Sequence, residues 1–210
     1  MKKIFIDTVS LYPKIIISKN NTIENTIILN INSSNQISDL IIETIQNIFK
    51  KYQINEISTI IVITGPGSFT SLRIGISVAV GLKVSSNVKL HGFNAIDVLL
   101  SFSRLYYKNE NVYVFIQSTN NQNFIAAYGK NNQLLLKPNK IEDNIEIFND
   151  DVPIDSILIS NEKIKMEHKS KLSKFSLVKN MDISKILIDN NLKDIKINED
   201  VIYPIYISKK

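Results

Sequence analysis

The sequence predicts an α/β protein, and three observations carry that prediction. Ile57 to Ile63 is an unbroken apolar, β-branched run without a charge, which reads as a strand buried on both faces. A short glycine- and proline-containing turn follows. It leads into residues 69–84, where Leu72, Ile76, Ala79 and Lys83 recur at the three- and four-residue spacing of a helix. Finally, short β-rich runs and amphipathic stretches alternate on either side of this unit, the mark of strands and helices packed together in layers.

Each element has its own signal. Lys2 to Asp7, Lys14 to Lys19 and Thr26 to Ile31 are β-rich runs, and Lys19-Asn20-Asn21-Thr22 is a plausible hairpin turn, so three antiparallel strands open the chain. Ser38 to Tyr52 carries Ile41, Ile42, Ile45, Ile48 and Phe49 on one face, a helix started by Ser38 or Asp39. After the central strand and helix, Val88 to Phe93 reads as a strand. Asn94 caps a helix through about Tyr106, with Asp97 in its first turn to complement the dipole. Val112 to Ile116, Phe124 to Tyr128 and Leu134 to Leu136 echo the opening strands. A short helix near 141–149, a strand at 156–160, a charged stretch at 161–174 and a helix over Ile183 to Asn191 complete the pattern. The expected division is 1–108 and 109–210, the second part being the smaller.

The turn itself, Gly65-Pro66-Gly67-Ser68-Phe69-Thr70, has more than one use. Gly65 and Gly67 allow φ > 0, Pro66 fixes its own φ, and Ser68 or Thr70 can cap the helix. Free amides at a helix start favour an anion. Yet the residues after Gly67 match neither the P-loop nor the dinucleotide fingerprint, so a plain tight connection stands beside the anion site. In the helix, Ser71, Gly75 and Ala79 are spaced by four, as are Ser77 and Gly81. A glycine inside a helix costs about 1 kcal/mol against alanine, so close approach of another backbone is the expected compensation. That backbone belongs either to this chain or to another protein.

Composition excludes several classes. With no cysteine there are no disulfides, thiolate metal sites or cysteine nucleophiles. His91 and His168 are the only histidines; His91 has no second ligand at metal spacing and His168 sits among lysines. Gly67-Ser68-Phe69 is not a hydrolase nucleophile elbow. No apolar run is long enough to span a bilayer and Asp7 interrupts the first, so a cytoplasmic location is expected. The net charge of +5 comes from scattered lysines, without an arginine cluster or an interleaved aromatic platform.

Residues 65–75, Gly-Pro-Gly-Ser-Phe-Thr-Ser-Leu-Arg-Ile-Gly, resemble the signature of the TsaB (YeaZ) family, with Ser71 where that family usually has glycine. Ile6-Asp7-Thr8 and Pro204-Ile205-Tyr206-Ile207 match in order and spacing. Val9, Ile37 and Glu43 depart from the family pattern, which often has serine or threonine, histidine and proline there. The resemblance implies an actin-like, sugar-kinase-like (ASKHA) fold of two subdomains, the second reduced. It also implies an accessory, non-catalytic subunit of the machinery that forms threonylcarbamoyladenosine in tRNA. Its partners would be a TsaD-type catalytic subunit and a TsaE-type ATPase, with tRNA met through the complex and a homodimer when unpaired. Pairing would run through the first two helices, using Ser71, Leu72, Gly75, Ile76, Ala79, Ile41, Ile45 and Ile48, with Arg73 part of the motif. No cofactor of its own is expected, ATP belonging to the partners. Asp7, Thr8 and Ser10 stand where related ATPases contact phosphate. A stand-alone ATP-binding enzyme is therefore the alternative reading, and a peptidase of the M22 type a third.

Overall fold

In the computed structural model the described residues are 1–31, 36–86, 88–119, 122–141, 152–153, 155–164, 172–189 and 202–207. Their chain order begins with β1 (Lys2–Asp7), β2 (Lys14–Lys19), β3 (Thr22–Ile28), α1 (Ile37–Lys51), β4 (Ile57–Gly65), α2 (Phe69–Ser85), β5 (Lys89–Asn94) and α3 (Ala95–Arg104). It continues with β6 (Asn111–Gln117), β7 (Asn123–Tyr128), β8 (Leu134–Ile141), β9 (Ser156–Ser160), β10 (Leu177–Asn180) and α4 (Ile183–Asp189).

Two five-stranded sheets result, in the orders β3-β2-β1-β4-β5 and β10-β9-β6-β7-β8. Each has an antiparallel hairpin pair on one side of its first strand and parallel neighbours on the other. The halves therefore repeat one topology, and this is the actin-like ATPase fold expected from the sequence. The second sheet is as wide as the first; its edge strand β10 carries four exposed residues and gives no apolar alternation to read.

Strand pleating explains the layers. Successive side chains leave a strand on opposite faces, so Ile4, Ile6, Ile60 and Val62 face α1 and α2, while Phe5, Ile61 and Ile63 face α3 and α4. The same inner core takes Val112, Val114 and Ile116 from β6, so α3 and α4 lie between the sheets. The far face of the second sheet has its own cluster, Phe115, Ile125, Leu158 and Phe175. The hairpin turn falls at Lys19–Thr22, as the sequence suggests, but the third strand runs over Thr22–Ile28 and not Thr26 to Ile31. Asn20 and Asn21 both take φ > 0, at 51° and 61°, so the chain reverses in two residues and β3 starts at Thr22. Of the short helix expected near 141–149, Ile141 is the last residue of β8, and the rest lies outside the described residues, as does His168.

The last described segment, residues 202–207, returns to the first half. Ile202 packs in the α1–α2 core, and Ile205 N–H donates to Thr64 C=O at 2.7 Å. This segment thus packs against the first half, and a cut at residue 108 does not separate all contacts.

Candidate functional site

Three loops meet where β1, β4 and β6 end. The first, after β1, is held by Asp7. Its Oδ1 accepts from Val9 N–H and Ser10 N–H, both at 2.9 Å, and its Oδ2 accepts from Ser10 Oγ at 2.5 Å. This is an Asx-type turn, in which a short carboxylate satisfies its own loop. Asp7 is 1% exposed, and Thr8 Oγ1 donates to Ser71 C=O at 2.7 Å. The three residues expected to meet phosphate therefore spend these polar atoms on this chain's own loop and helix.

The equivalent loop of the second half, after β6, is bound directly to the first. Thr119 N–H donates to Val9 C=O at 3.2 Å, Ser118 Oγ donates to the same carbonyl at 2.5 Å, and Ser10 and Ser118 form an isolated bridge. Ser71 and Thr119 hydroxyls lie 3.4 Å apart.

Beside this junction Lys14 Nζ reaches both oxygens of Asp182, at 3.1 and 3.2 Å. Burial works against the charge of Asp182, but hydrogen bonds from Ser184 and the nearby Lys14 hold its carboxyl below the usual range. Glu162 is the opposite case. Burial pushes it up to about 7, with Lys14 opposing and Asp7 and Asp182 adding to the rise. Among the described residues no group of three metal-ligating side chains converges. His91 is half-buried in β5.

The third loop is the Gly65–Ser68 turn. Gly65 has φ +132°, and a Cβ there would stand 2.6 Å from Ile205 C=O, so glycine is required on both counts. A Cβ on Gly67 would overlap the Val9 side chain, so the close approach of the two loops needs glycine there. Ser68 is the N-cap residue of α2 without a side-chain cap bond, and Pro66 is buried. Thr70 is exposed.

The helix faces require a correction. Ser71, Leu72, Gly75, Ile76 and Ala79 are buried inside this chain, as are Ile41, Ile45 and Ile48 of α1. The ridge of small residues was expected to receive a partner. It instead lets α2 settle on the loop after β1, where a Cβ on Gly75 would overlap Thr8 Oγ1. What α2 turns outward is its other small pair. Ser77 and Gly81 are exposed, with Val80 at 38% and Val84 at 82%, and nothing lies within 4 Å of a Cβ built on Gly81. Ile42, half-exposed on α1, adds to the uncovered apolar surface. The signal was available in the sequence as a second four-residue spacing, but spacing alone does not say which ridge faces in.

The sequence model of the family described as TsaD, tRNA N6-adenosine threonylcarbamoyltransferase, matches residues 25–192. The chain belongs to this family. Within it the TsaB/YeaZ resemblance read from the sequence holds. Over 91 residues the chain is 31% identical to the tRNA threonylcarbamoyladenosine biosynthesis protein TsaB of Buchnera aphidicola subsp. Schizaphis graminum (strain Sg), covering 39% of this chain and 43% of that protein. The match thus spans less than half the length of that curated relative. In fold, the chain is similar to YeaZ from Pseudomonas aeruginosa, at TM-score 0.63 and 13% identity over 98% of this chain and 99% of that one. A second structure from the same organism, described as similar to peptidase YEAZ, gives TM-score 0.62 and 12% identity over 99% of each chain. Among the described residues no helix of this TsaD-family chain is long and apolar enough to cross a membrane.

Proposed function

We propose that this chain is a non-catalytic scaffold subunit in the formation of N6-threonylcarbamoyladenosine in tRNA. It pairs with a TsaD-type threonylcarbamoyltransferase and, with it, engages a TsaE-type ATPase. The single observation that carries the reading is the outward face of α2. A helix that is apolar on one stripe needs one covering layer, whereas one apolar all round needs two. Helix α2 already buries Leu72, Ile76 and Ala79 inward and still presents Val80, Gly81 and Val84 to solvent. Small residues at 77 and 81 admit a partner helix to close range. The same face closes on a second copy of the chain when the partner is missing. The junction of loops supports a non-catalytic role in turn, since Asp7, Thr8 and Ser10 are committed to internal hydrogen bonds.

The test is co-purification of the tagged chain with a TsaD-type subunit, comparing wild type with Val80→Asp. Val80 is 38% exposed, so the substitution leaves the fold intact and places a charge on the interface. Capture of the TsaD-type subunit at wild-type yield by the variant would refute the reading.

A further inference from the structure

Read along the chain, the aromatic and basic residues form no platform. The fold builds one from residues far apart. Tyr206 stacks on Phe69 with ring centroids 4.8 Å apart and planes inclined by 30°. The Arg73 guanidinium lies 3.7 Å from the Phe69 centroid, and Arg73 Nε donates to the Tyr206 hydroxyl at 3.0 Å. Phe69 and Arg73 are one turn apart on α2, whereas Tyr206 arrives from the other end of the chain, fixed by the Ile205–Thr64 backbone bond. The group is therefore held from below, yet it is not a core. Phe69 is 50% exposed and Tyr206 45%.

An aromatic stack left half in water and completed by an arginine is what single-stranded nucleic acid uses. Every base has a π-face that extends such a stack, and the guanidinium takes the neighbouring phosphate or stacks in its own right. The platform lies past the carboxyl end of β4, where open α/β sheets place their ligands. The formal charge of +5 and isoelectric point near 9.2 favour a polyanion over a neutral surface. Its Arg73 also borders the outward stripe of α2 through Ser77, so a ligand here would lie next to the proposed partner helix.

We propose that Phe69, Arg73 and Tyr206 form a contact site for an unpaired base of RNA, the base continuing the stack on Tyr206 and Arg73 holding the adjacent phosphate. This deepens the reading of the chain as a tRNA-modification subunit and rests on it. The experiment is fluorescence anisotropy of the isolated full-length chain with a short labelled oligoriboadenylate and with an unmodified tRNA transcript, over a range of salt. Tyr206→Ala should weaken both by roughly 5- to 150-fold. Tyr206→Phe keeps the ring and should retain most of the affinity. Arg73→Gln should lower the slope of log affinity against log salt by about one for a lost phosphate. Lys185→Gln, on exposed α4 surface, should bind as wild type. Wild-type affinity in Tyr206→Ala overturns the proposal, as does an isolated chain that binds neither RNA. A Tyr206→Ala variant that keeps RNA but loses capture of the TsaD-type subunit also overturns it, and makes the platform a protein contact. Because pairing is scored separately through Val80→Asp, failure here leaves the scaffold reading standing, and failure there leaves this one testable.

Discussion

The two internal glycines of α2 make opposite predictions, and together they test which side of the helix is occupied. Gly81 stands in open space, with no atom within 4 Å of the position its Cβ would take. Gly81→Leu should therefore stabilise the isolated chain. The gain is the helix propensity that glycine forgoes, about 0.5–1 kcal/mol. For a chain of this size that raises the midpoint of thermal unfolding by about 1–4 °C. In the complex the same leucine stands between two helices that the small pair had let approach. Overpacking of a close contact costs about 1–3 kcal/mol, equivalent to a 5- to 150-fold weaker Kd.

Gly75 faces the other way. Gly75→Ala puts a methyl onto Thr8 Oγ1 and disturbs the buried Thr8–Ser71 hydrogen bond, 2.7 Å long. Strain of that kind with a lost buried hydrogen bond costs about 2–4 kcal/mol, so the isolated chain should melt several degrees lower. Circular dichroism melts of both variants and titration calorimetry against a TsaD-type subunit are the assays. The reasoning fails if Gly81→Leu pairs as tightly as wild type, or if Gly75→Ala melts no lower than wild type.

Two further outcomes follow from buried polar groups. Glu162 is pushed up to about 7 by burial, above the ordinary carboxylate value of 4.5 in the unfolded chain. The folded state therefore holds its proton more tightly, so below pH 4.5 the shift costs nothing. Stability falls as pH rises from 4.5 to 7, and the penalty is then constant. Glu162→Gln should flatten this dependence and be the more stable form at pH 8, as urea unfolding at pH 5 and pH 8 would show; parallel curves for the two proteins would contradict it. Thr64 is fully buried, and its Oγ1 is the buried side-chain polar atom among the described residues that lacks a hydrogen-bond partner. Thr64→Val keeps the shape and removes an unsatisfied hydroxyl, so it should stabilise by about 1 kcal/mol in urea unfolding, whereas a loss of stability would mean that the hydroxyl is satisfied in solution.

What the sequence disclosed and what it withheld divide along physical lines. A strand buried on both faces, such as β4, announces itself because its run carries no charge. The strand–turn–α2 unit was legible for the same reason, and its glycines marked close approaches. Which close approach was another matter. Ser71, Gly75 and Ala79 share a spacing with Ser77 and Gly81, and the orientation of α2 is decided by a loop more than sixty residues upstream, at Thr8. Asp7 illustrates a related limit. From the residues alone Asp7 reads as a turn cap, with a phosphate contact implied only by the resemblance, and the positions of Val9 N–H and Ser10 Oγ show the turn that it holds. Strand β10 had no chance of detection, because Leu177, Val178, Lys179 and Asn180 are all exposed at a sheet edge and their order carries no alternation.

The junction of the two repeated hairpin loops adds a final step. In a fold made of two like halves, the loops after the first strand of each half, here after β1 and β6, face each other across the line where the halves meet. A ligand seated there would have to keep them apart. In this chain Val9 C=O accepts from both Ser118 and Thr119, and Ser10 bridges Ser118, so the halves are tied to each other at that point. Asp7, Thr8 and Ser10 make hydrogen bonds within the protein beside this tie, and Lys14 with Asp182 adds a second tie nearby. A body fastened in this way presents its helices at a fixed angle. That favours the use argued here, in which α2 and the platform at its start meet other molecules from the outside.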